Sequence, residues 1–435
     1  MTGPTRVAVT GLGFVSSIGN DQQSVLESLR LARTGIGIHP ELKAANAPVL
    51  LAGLIQGFEF PSEYPQSWTW PEHVEIARVH LRSLAPHGVY AHVALQEALR
   101  QAQVSDEILH DNQTGLLTAS AGSTRLLHSH LERMLERGVS QCHPFVMTCS
   151  IAGTLSFNLA ASLGIRGVSG GCVSACASSS QAIGMAFDQI RIGRQKRMIV
   201  VGAEDCDLFS ILPFAAFQAL TRATDPAESP CAFDRRRDGF AATGGATALV
   251  LEDLNAARER GVAVLAEMTG WGWTSDGYHP MSPEPSGEGL ERAMRMALSD
   301  AGRTPSDIDY LNAHATSTQA GDKAEALALR RVFGSDGPLI SSTKGQTGHA
   351  LSAAGALEAG ISVLALQHGL IPANLNLRDP DPAAEGLRLP AVPVETPVNV
   401  VMSNSSGFGG VNVSLVFEKP SSPGGSAPSA SRAGP

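Results

Sequence analysis

Short runs of β-branched and apolar residues alternate with longer, alanine-rich amphipathic segments along most of this chain. The first pair is a buried strand at residues 6–10 followed by a helix at 24–32. Segments of this kind pack as helices on the faces of a largely parallel sheet, so the pattern predicts an α/β fold. Further strands are predicted at residues 115–119, 198–201, 246–251, 265–270, 308–313, 339–342, 398–403 and 411–418, and further helices at 91–103, 148–163, 178–192, 289–301, 322–333 and 349–368.

The order of the predicted elements restarts after residue 253. An internal duplication is the simplest interpretation, although sequence identity between the two parts is too weak to prove it. We therefore expect two units, at residues 1–255 and 256–419. The remaining residues, 420–435, are almost all Ser, Pro, Gly and Ala, a composition that predicts a disordered tail.

Charge and composition exclude several classes of function. The chain has 32 Lys and Arg against 41 Asp and Glu, and a net charge of −9 argues against nucleic acid as a partner. No run of about 18 apolar residues predicts a membrane span. No secretory leader precedes the six cysteines, so we expect reduced thiols and a cytoplasmic location. Cys172 and Cys176 lack a second Cys/His pair at zinc-like spacing, so no metal site is expected.

Cys176 is the first candidate for a catalytic group. A strand-like run precedes Cys176, and the small residues that follow it in GGCVSACASSS begin a predicted helix. A helix N-terminus supplies partial positive charge and free N–H groups, which favour a thiolate. A buried structural cysteine is the alternative, because cysteine is among the most buried residue types. The local pattern alone leaves both interpretations open.

Two histidines also follow predicted strands. His314 lies in NAHATST, between a strand and the hydroxyls of Thr316 and Thr318, and His349 lies five residues after Lys344 in SSTKGQTGH. The C-terminal ends of strands in an α/β layer gather around one crevice, so these groups are expected to meet the candidate cysteine. One Cys, two His and a Lys suit acyl transfer through a thioester, followed by stabilisation of an enolate.

Two further groups of residues belong to the same expectation. Asp322 and Glu325 lie within about one helix turn of each other, shortly after the first histidine. The loop NSSGFGG contains Gly407, Phe408 and Gly409, and its glycines would free backbone N–H groups to bind an anion.

Several motifs occur together in a fixed order: VTGLG, ACAS, DRRRDGF, NAHATST, GDKAEA, SSTK with TGH, and GFGG. Through these motifs the chain resembles the β-ketoacyl-acyl-carrier-protein synthases of the elongating, KAS II type, in the thiolase-like superfamily. The resemblance covers residues 6–418. The resemblance implies duplicated βαβαβαββ halves in a five-layer αβαβα arrangement. It also implies a 3-oxoacyl-[acyl-carrier-protein] synthase, an acyltransferase that needs no cofactor.

The resemblance implies a role for each candidate residue. Cys176 would accept the acyl group, while His314 and His349 would promote decarboxylation of the malonyl carrier and hold the thioester carbonyl of the enolate. Lys344 would supply positive charge beside His349. The resemblance further assigns Asp322 and Glu325 to the network behind that lysine, the N–H groups of Cys176 and Phe408 to an oxyanion hole, Phe408 to a gate, and Thr316, Thr318, Gly407 and Gly409 to the pantetheine arm or substrate.

Some positions depart from the pattern of that family, chiefly at the entrance. These departures predict a specialised carrier or acyl chain rather than general elongation. They are Ala315 in place of Gly, Ser406 in place of Phe, Met281 in place of Thr, Gln218 in place of Arg, a lost carboxylate at residues 243–247, and fewer positive charges at residues 82–86.

Partners and close alternatives follow from the same resemblance. An acyl carrier protein is the expected partner and a homodimer the expected assembly. A type II polyketide or polyene ketosynthase working with a ketosynthase-like subunit remains an alternative. A non-catalytic chain-length subunit is disfavoured because such subunits usually lack the nucleophile that Cys176 provides. A thiolase is disfavoured because it has a second active-site cysteine near the C-terminus, and the last cysteine here is Cys231.

Overall fold

A computed structural model describes residues 5–420 of the chain, so all but the first residue of the predicted tail lies outside the described part. Most of the predicted strands are present, and several extend further than the patterns indicated. The strands are β1 (Val7–Val15), β2 (Ile36–Ile38), β3 (Leu51–Gly53), β4 (Thr114–Ala119), β5 (Ser169–Cys172), β6 (Arg197–Glu204), β7 (Gly245–Asp253), β8 (Ala266–Ser275), β9 (Tyr310–Asn312), β10 (Leu339–Ser341), β11 (Leu370–Ile371), β12 (Val394–Glu395), β13 (Val400–Gly407) and β14 (Val411–Glu418).

Helices separate most of these strands. Within residues 5–420, no helix has both the length and the apolar character needed to cross a bilayer. The helices are α1 (Gln22–Arg30), α2 (Pro40–Ala44), α3 (Arg78–Leu81), α4 (Pro86–Gln101), α5 (Asp106–Leu109), α6 (Thr124–Arg137), α7 (Val146–Ser150), α8 (Leu155–Leu163), α9 (Ser178–Arg191), α10 (Leu208–Ile211), α11 (Leu254–Glu259), α12 (Glu288–Ala301), α13 (Gln319–Phe333), α14 (Lys344–Thr347) and α15 (Ala354–His368).

Ten strands form one mixed sheet in the order β10-β9-β13-β14-β8-β1-β7-β6-β4-β5. Each half of the chain contributes five strands, and numbering them within each half gives the same spatial order, 3-2-4-5-1, twice. The first half supplies β1, β4, β5, β6 and β7, and the second supplies β8, β9, β10, β13 and β14. The expected duplication is therefore visible in the topology. The two half-sheets join where residues 7–9 of β1 pair antiparallel with residues 266–268 of β8.

Two helices fill the space between the half-sheets. Every residue from Ala354 to Leu366 of α15 is buried, and α9 packs against it within the largest apolar core. Small residues allow this close approach, since a Cβ at Gly355 would collide with Ser180 Oγ of α9. Helices α4 and α12 cover the outer faces of the two half-sheets, over separate apolar clusters. The result is the five-layer αβαβα arrangement that the resemblance implied.

Two predicted helices were wrong in their extent. The helix expected at residues 148–163 is divided into α7 and α8, with Gly153 at φ +81° between them. The helix expected at 349–368 begins only at Ala354, because His349 pairs with a neighbouring backbone segment: its N–H donates to Ala241 O at 2.8 Å. Contacts distant in sequence overrode local helix propensity at both places. Helix α6 was not predicted at all.

Candidate active site

One cavity of about 350 Å³ brings the predicted chemical groups together. Cys176, His314, His349 and Phe408 all line it. The first of these lies just before α9, the second just after β9, the third between α14 and α15, and the fourth just after β13. These four groups therefore meet at one cavity, as strand ends of an α/β layer do, whereas Lys344 is not among the residues that line it. Cys176 and His349 precede α9 and α15, which occupy equivalent places in the two halves.

A tight turn presents Cys176 to the cavity. Ala175 adopts a left-handed conformation with φ +49°, which costs a non-glycine residue about 1–2 kcal/mol. The Ser178 hydroxyl holds this turn, because it accepts from Ser174 N–H at 2.8 Å and donates to Ala175 O at 2.6 Å. Gly407 packs on the other side, where a Cβ would lie only 2.6 Å from Ser174 O and 3.2 Å from Cys176 N.

The surroundings of the Cys176 sulfur favour the thiol over the thiolate. Burial raises its pKa to about 12, and the nearby charges of Glu204 and Glu358 raise it further. The positive charge of Lys344 and the Phe408 N–H, which donates to the sulfur, act in the opposite direction without cancelling burial. Burial thus opposes the thiolate that the sequence predicts at this helix N-terminus, because desolvation disfavours the charged form.

His314 and His349 meet edge to face, with ring centroids 5.3 Å apart and ring planes at 82°. Burial holds the pKa of each well below its ordinary value, and the positive charge of Lys344 lowers both further. Both imidazoles are therefore neutral at pH 7. Each Nδ1 atom is buried without a hydrogen-bond partner among residues 5–420. The Phe240 ring supports His349 from the side at a centroid distance of 5.0 Å.

Glu325 fixes the backbone that carries the first histidine. Its carboxylate accepts the N–H of His314 at 3.0 Å and the N–H of Ala315 at 2.6 Å, and the Asn404 amide donates to it at 3.3 Å. Burial raises the pKa of Glu325 to about 7. The side chain reaches back from α13 to the end of β9, so its role in the described structure is to position the loop.

Lys344 pairs with a carboxylate that sequence reasoning missed. Its ammonium forms a buried ion pair with Glu358 of α15, and both side chains are almost fully enclosed. Burial raises the pKa of Glu358 to about 7, while Lys344 lowers it. One signal was available in the sequence: Glu358 is the only charged residue between His349 and His368, in an otherwise apolar or small-residue segment. A lone acid in such a helix indicates a buried partner.

Asp322 lies elsewhere in the network. Its carboxylate accepts Phe233 N–H at 2.9 Å and lies 3.9 Å from Arg237 Nε. The buried Arg237 also pairs with Asp381 at 2.7 Å. Asp322 was expected in the network behind Lys344, but its carboxylate contacts Phe233 and Arg237 instead. It instead joins the DRRRDGF segment to the start of α13, and burial raises its pKa to about 6.

The glycine loop offers fewer free N–H groups than expected. Gly409 N–H donates to Pro280 O at 2.7 Å, and Gly410 N–H donates to Gly407 O at 3.1 Å. Both groups are therefore used within the protein, which corrects the prediction of a general anion site. The Phe408 N–H is the loop donor that faces the nucleophilic sulfur.

The predicted gate residue sits among other aromatic rings. Phe408 is half-buried, and its ring lies 6.3 Å from that of Phe214 and 6.2 Å from that of Phe217, measured between centroids. Ser406, which replaces the usual phenylalanine, donates to Asn412 Oδ1 at 2.8 Å. Contacts from residues 214 and 217 thus support the Phe408 ring, and Ser406 is tied into a polar network.

The remaining predicted residues lie along the cavity wall. The Thr316 and Thr318 hydroxyls are 3.1 Å apart and both face the cavity. Gln218 and Met281, two of the departures, line the same cavity and are exposed. Gln218 has φ +54°, a left-handed conformation. These two altered positions therefore lie on an exposed part of the cavity wall, whereas Ala315, another departure, directly follows His314.

Comparison with known families covers nearly the whole chain. Residues 5–257 match the family described as "Beta-ketoacyl synthase, N-terminal domain", and residues 265–378 match "Beta-ketoacyl synthase, C-terminal domain". The chain is 38% identical to 3-oxoacyl-[acyl-carrier-protein] synthase 1 of Escherichia coli K12, over 95% of this chain and 99% of the relative. It is 35% identical to 3-oxoacyl-[acyl-carrier-protein] synthase 2 of Synechocystis, over 95% and 98%.

Solved structures agree with this assignment. A β-ketoacyl synthase from Burkholderia phymatum superposes with a TM-score of 0.87 at 33% identity, covering 96% of this chain and all of the other. A structure described as the ishigamide ketosynthase/chain length factor gives a TM-score of 0.86 at 30% identity, again over 96% and 100%. The fold is therefore thiolase-like, and the chain belongs to the β-ketoacyl synthase family of condensing acyltransferases.

Proposed function

We propose that this enzyme condenses a malonyl group on an acyl carrier protein with an acyl group held on Cys176, releasing CO₂ and a 3-oxoacyl carrier. The observation that supports this most is the shared cavity of Cys176, His314, His349 and Phe408, with the Phe408 N–H directed at the sulfur. Relatives with the same motifs are named 3-oxoacyl-[acyl-carrier-protein] synthases.

The first step is acyl transfer. The Cys176 sulfur attacks the thioester carbonyl of the acyl carrier, and the N–H groups of Cys176 and Phe408 stabilise the oxyanion that forms. The C–S bond to the carrier then breaks, and the carrier leaves as a thiol with the proton from Cys176. Because the resting group is a thiol, a neutral histidine at the cavity wall is the natural acceptor for that proton in transit.

The second step forms the carbon–carbon bond. Loss of CO₂ from the malonyl carrier leaves an enolate, whose oxygen accepts hydrogen bonds from His314 and His349. Neutral imidazole donors placed where charge develops lower the barrier, typically by roughly 3 kcal/mol each. The enolate carbon attacks the acyl carbonyl on Cys176, and the tetrahedral adduct collapses by expelling the cysteine thiolate, which takes one proton from water to restore the thiol.

Intact-protein mass spectrometry after incubation with acyl carriers of graded chain length tests the first step. We expect the wild-type chain to gain the mass of one acyl group, and Cys176→Ala to gain none. The half-buried Cys142 provides a matched control, since Cys142→Ser removes a thiol outside the cavity and keeps the adduct. An adduct on Cys176→Ala, or none on the wild type with any acyl donor, contradicts the assignment.

We further propose an elongating enzyme of the KAS II type with a specialised carrier or acyl chain. Gln218 and Met281 support this, because both replace the usual residues at the cavity mouth. Relatives named synthase 1 and synthase 2 have similar sequence identity to this chain, 38% and 35%. Identity therefore does not separate the two types of synthase, and the preferred chain length in the mass assay decides between them. Full-rate elongation of ordinary saturated chains on the general fatty-acid carrier contradicts specialisation.

We also expect a cytoplasmic location, since all six cysteines are free thiols.

We propose a dimer formed at the free edge of β5. This strand ends the ten-strand order, so one side of its backbone has no partner strand among residues 5–420. Apolar side chains surround the edge: Val173 is 64% exposed and Phe157 is 62% exposed. An unpaired edge beside exposed apolar residues indicates an interaction surface. A second copy of this chain is the expected partner.

Light scattering on the purified chain tests the assembly. We expect a dimer for the wild type and a monomer for Phe157→Asp. The second candidate, a heterodimer with a ketosynthase-like subunit, is favoured by the structural likeness to the ishigamide ketosynthase/chain length factor. A wild-type chain that is monomeric alone and dimeric only with a related subunit supports that candidate instead.

A further inference from the structure

A separate cavity of about 330 Å³ lies between α6, the loop that precedes α7 and the chain that precedes α4. We call it the His143 cavity. Within residues 5–420, none of its lining residues lines the cavity at Cys176, so its groups take no part in the proposed condensation. The buried side chains of Leu84, Leu126 and Cys149 form its apolar side. Its polar side chains are those of Glu63, Tyr64, Gln66, Arg82, His130 and His143.

Two neutral imidazole rings lie side by side in this cavity. The rings of His130 and His143 are 5.5 Å apart between centroids, with their planes at 33°. Burial lowers the pKa of each, and nearby positive charge lowers both further, so both rings are neutral at pH 7. A neutral imidazole carries its proton on one nitrogen only. In His143 that nitrogen is Nε2, because Nδ1 accepts the N–H of Phe145 at 3.3 Å.

The same assignment follows for His130 from its surroundings. The side chain is only 4% exposed, and its Nδ1 atom is enclosed without a hydrogen-bond partner among the described residues. An enclosed N–H group without an acceptor is the costlier arrangement, so the proton lies on Nε2. The Nε2 atoms of both rings likewise have no partner in residues 5–420 but, unlike His130 Nδ1, are open to the cavity. Two N–H donors are therefore free to bind a ligand.

The charges around the His143 cavity favour a negatively charged ligand. Glu63 is the only carboxylate among the lining residues, and it forms an ion pair with Arg133, whose guanidinium lies over the Tyr64 ring at 5.3 Å. Arg82 also lines the cavity, is exposed, and makes no ion pair within the described part of the chain. The guanidinium of Arg82 is close enough to lower the pKa of His143. One positive charge thus remains in excess beside the two donors.

We propose that the His143 cavity binds a small molecule through an oxyanion group, a phosphate or a carboxylate, that accepts from His130 Nε2–H, His143 Nε2–H and the Arg82 guanidinium. Hydrogen bonds between an ionised acceptor and such donors are the stronger kind, and a guanidinium adds charge to them. Leu84 and Leu126 contact the carbon skeleton beside the oxyanion. The volume of the cavity is that of a small ligand site, with apolar walls and a few convergent polar groups.

Isothermal titration calorimetry on the intact enzyme tests this site. Inorganic phosphate and acetate are titrated separately at low ionic strength, and we expect saturable binding of at least one of them at one site per chain. The stronger of the two distinguishes a phosphate ester from a carboxylate as the natural ligand. Arg82→Ala should weaken binding by about tenfold, the effect of one lost hydrogen bond to a charged group.

A pair of variants at residue 143 separates a binding role from a structural one. His143→Leu removes the donor and should weaken binding by about tenfold. His143→Gln carries an amide N–H at a similar reach and should keep most of the affinity. The exposed His128, also on α6, gives the control, because His128→Ala should leave binding unchanged. Equal losses in His143→Leu and His143→Gln would overturn the donor role.

Two other results would overturn the inference as a whole: no saturable binding of either anion to the wild type, or unchanged binding in Arg82→Ala. The second result decides even where a His143 variant fails to fold, since Arg82 is exposed. Acylation of Cys176 should be normal in Arg82→Ala, because this side chain does not line the catalytic cavity. The anion site and the proposed condensation therefore succeed or fail separately.

Discussion

The imidazole of His314 meets the imidazole of His349 edge to face at 5.3 Å, within a cavity that also contains the Cys176 sulfur. The two rings come from separate loops of the second half of the chain: one follows β9 and the other precedes α15. Burial keeps both neutral, so each can donate one N–H to a developing enolate oxygen without a charge of its own.

Replacing one of these rings should separate the two steps of the reaction. For His349→Ala we expect Cys176 to remain open to acylation, because the neutral His314 remains in the cavity as a proton acceptor. Formation of the 3-oxoacyl product should fall by about 100-fold or more, the cost of one lost oxyanion donor. Intact-mass analysis measures the amount of acyl-enzyme. The amount of 3-oxoacyl product released measures condensation. The exposed His128 gives a control, since His128→Ala should change neither quantity. Unchanged condensation in His349→Ala would contradict the role.

The condensation rate should be insensitive to acid near the ordinary histidine pKa. Because the pKa values of His314 and His349 are depressed in the folded protein, both rings stay neutral as the pH falls through 6.5. We expect less than a twofold change between pH 7 and pH 6 in single-turnover condensation from preformed acyl-enzyme. A loss of rate centred near pH 6.5 would contradict this expectation and would show that a group in the site titrates there, either one of the two rings or one of Glu325 and Glu358, whose pKa values burial raises to about 7.

Alkylation of Cys176 should keep rising with pH over an unusually wide range. With the thiol pKa raised to about 12, the thiolate fraction grows about tenfold per pH unit from pH 7 to pH 10. Modification by iodoacetamide, counted by mass at this residue, should follow that slope. An ordinary cysteine would level off near pH 8.5 to 9. Levelling in that range would mean that local positive charge outweighs burial after all.

Breaking the buried ion pair should cost much more stability than breaking a surface pair. Glu358→Gln leaves the Lys344 ammonium enclosed without a counter-charge, and we expect a loss of about 3–5 kcal/mol in the free energy of unfolding. Urea unfolding measures this. The exposed pair of Arg292 and Glu288 is the matched control, and Glu288→Gln should change the value by less than about 1 kcal/mol. Equal effects would contradict the burial of the Lys344 charge.

Adding one methyl group at Gly407 should disturb the nucleophile. A Cβ there would lie 2.6 Å from Ser174 O and 3.2 Å from Cys176 N, so Gly407→Ala must displace the loop that carries the Phe408 N–H. We expect slower acylation of Cys176, measured as the rate of adduct formation. Gly261→Ala is the control, because that position meets no atom within 4 Å and adds only backbone strain. Normal acylation in Gly407→Ala would show that the loop yields without consequence.

Local patterns predicted most of the elements because helices and buried strands impose their own periodicity on the sequence. They failed where distant contacts decide the backbone, as at His349, which pairs with Ala241, and at the break between α7 and α8. Helix α6 was also missed, although it is 14 residues long. Motifs placed Cys176 and both histidines on one cavity correctly, since each motif marks the end of a strand.

What the sequence determined by itself is the α/β alternation, the repeated order of elements and the residue types that meet at the cavity. The tertiary structure decided how those groups behave. Burial makes Cys176 a thiol and keeps His349 neutral, and Lys344 finds Glu358, a partner on another helix. Desolvation and pairing depend on segments far apart in sequence, so no local pattern contains them.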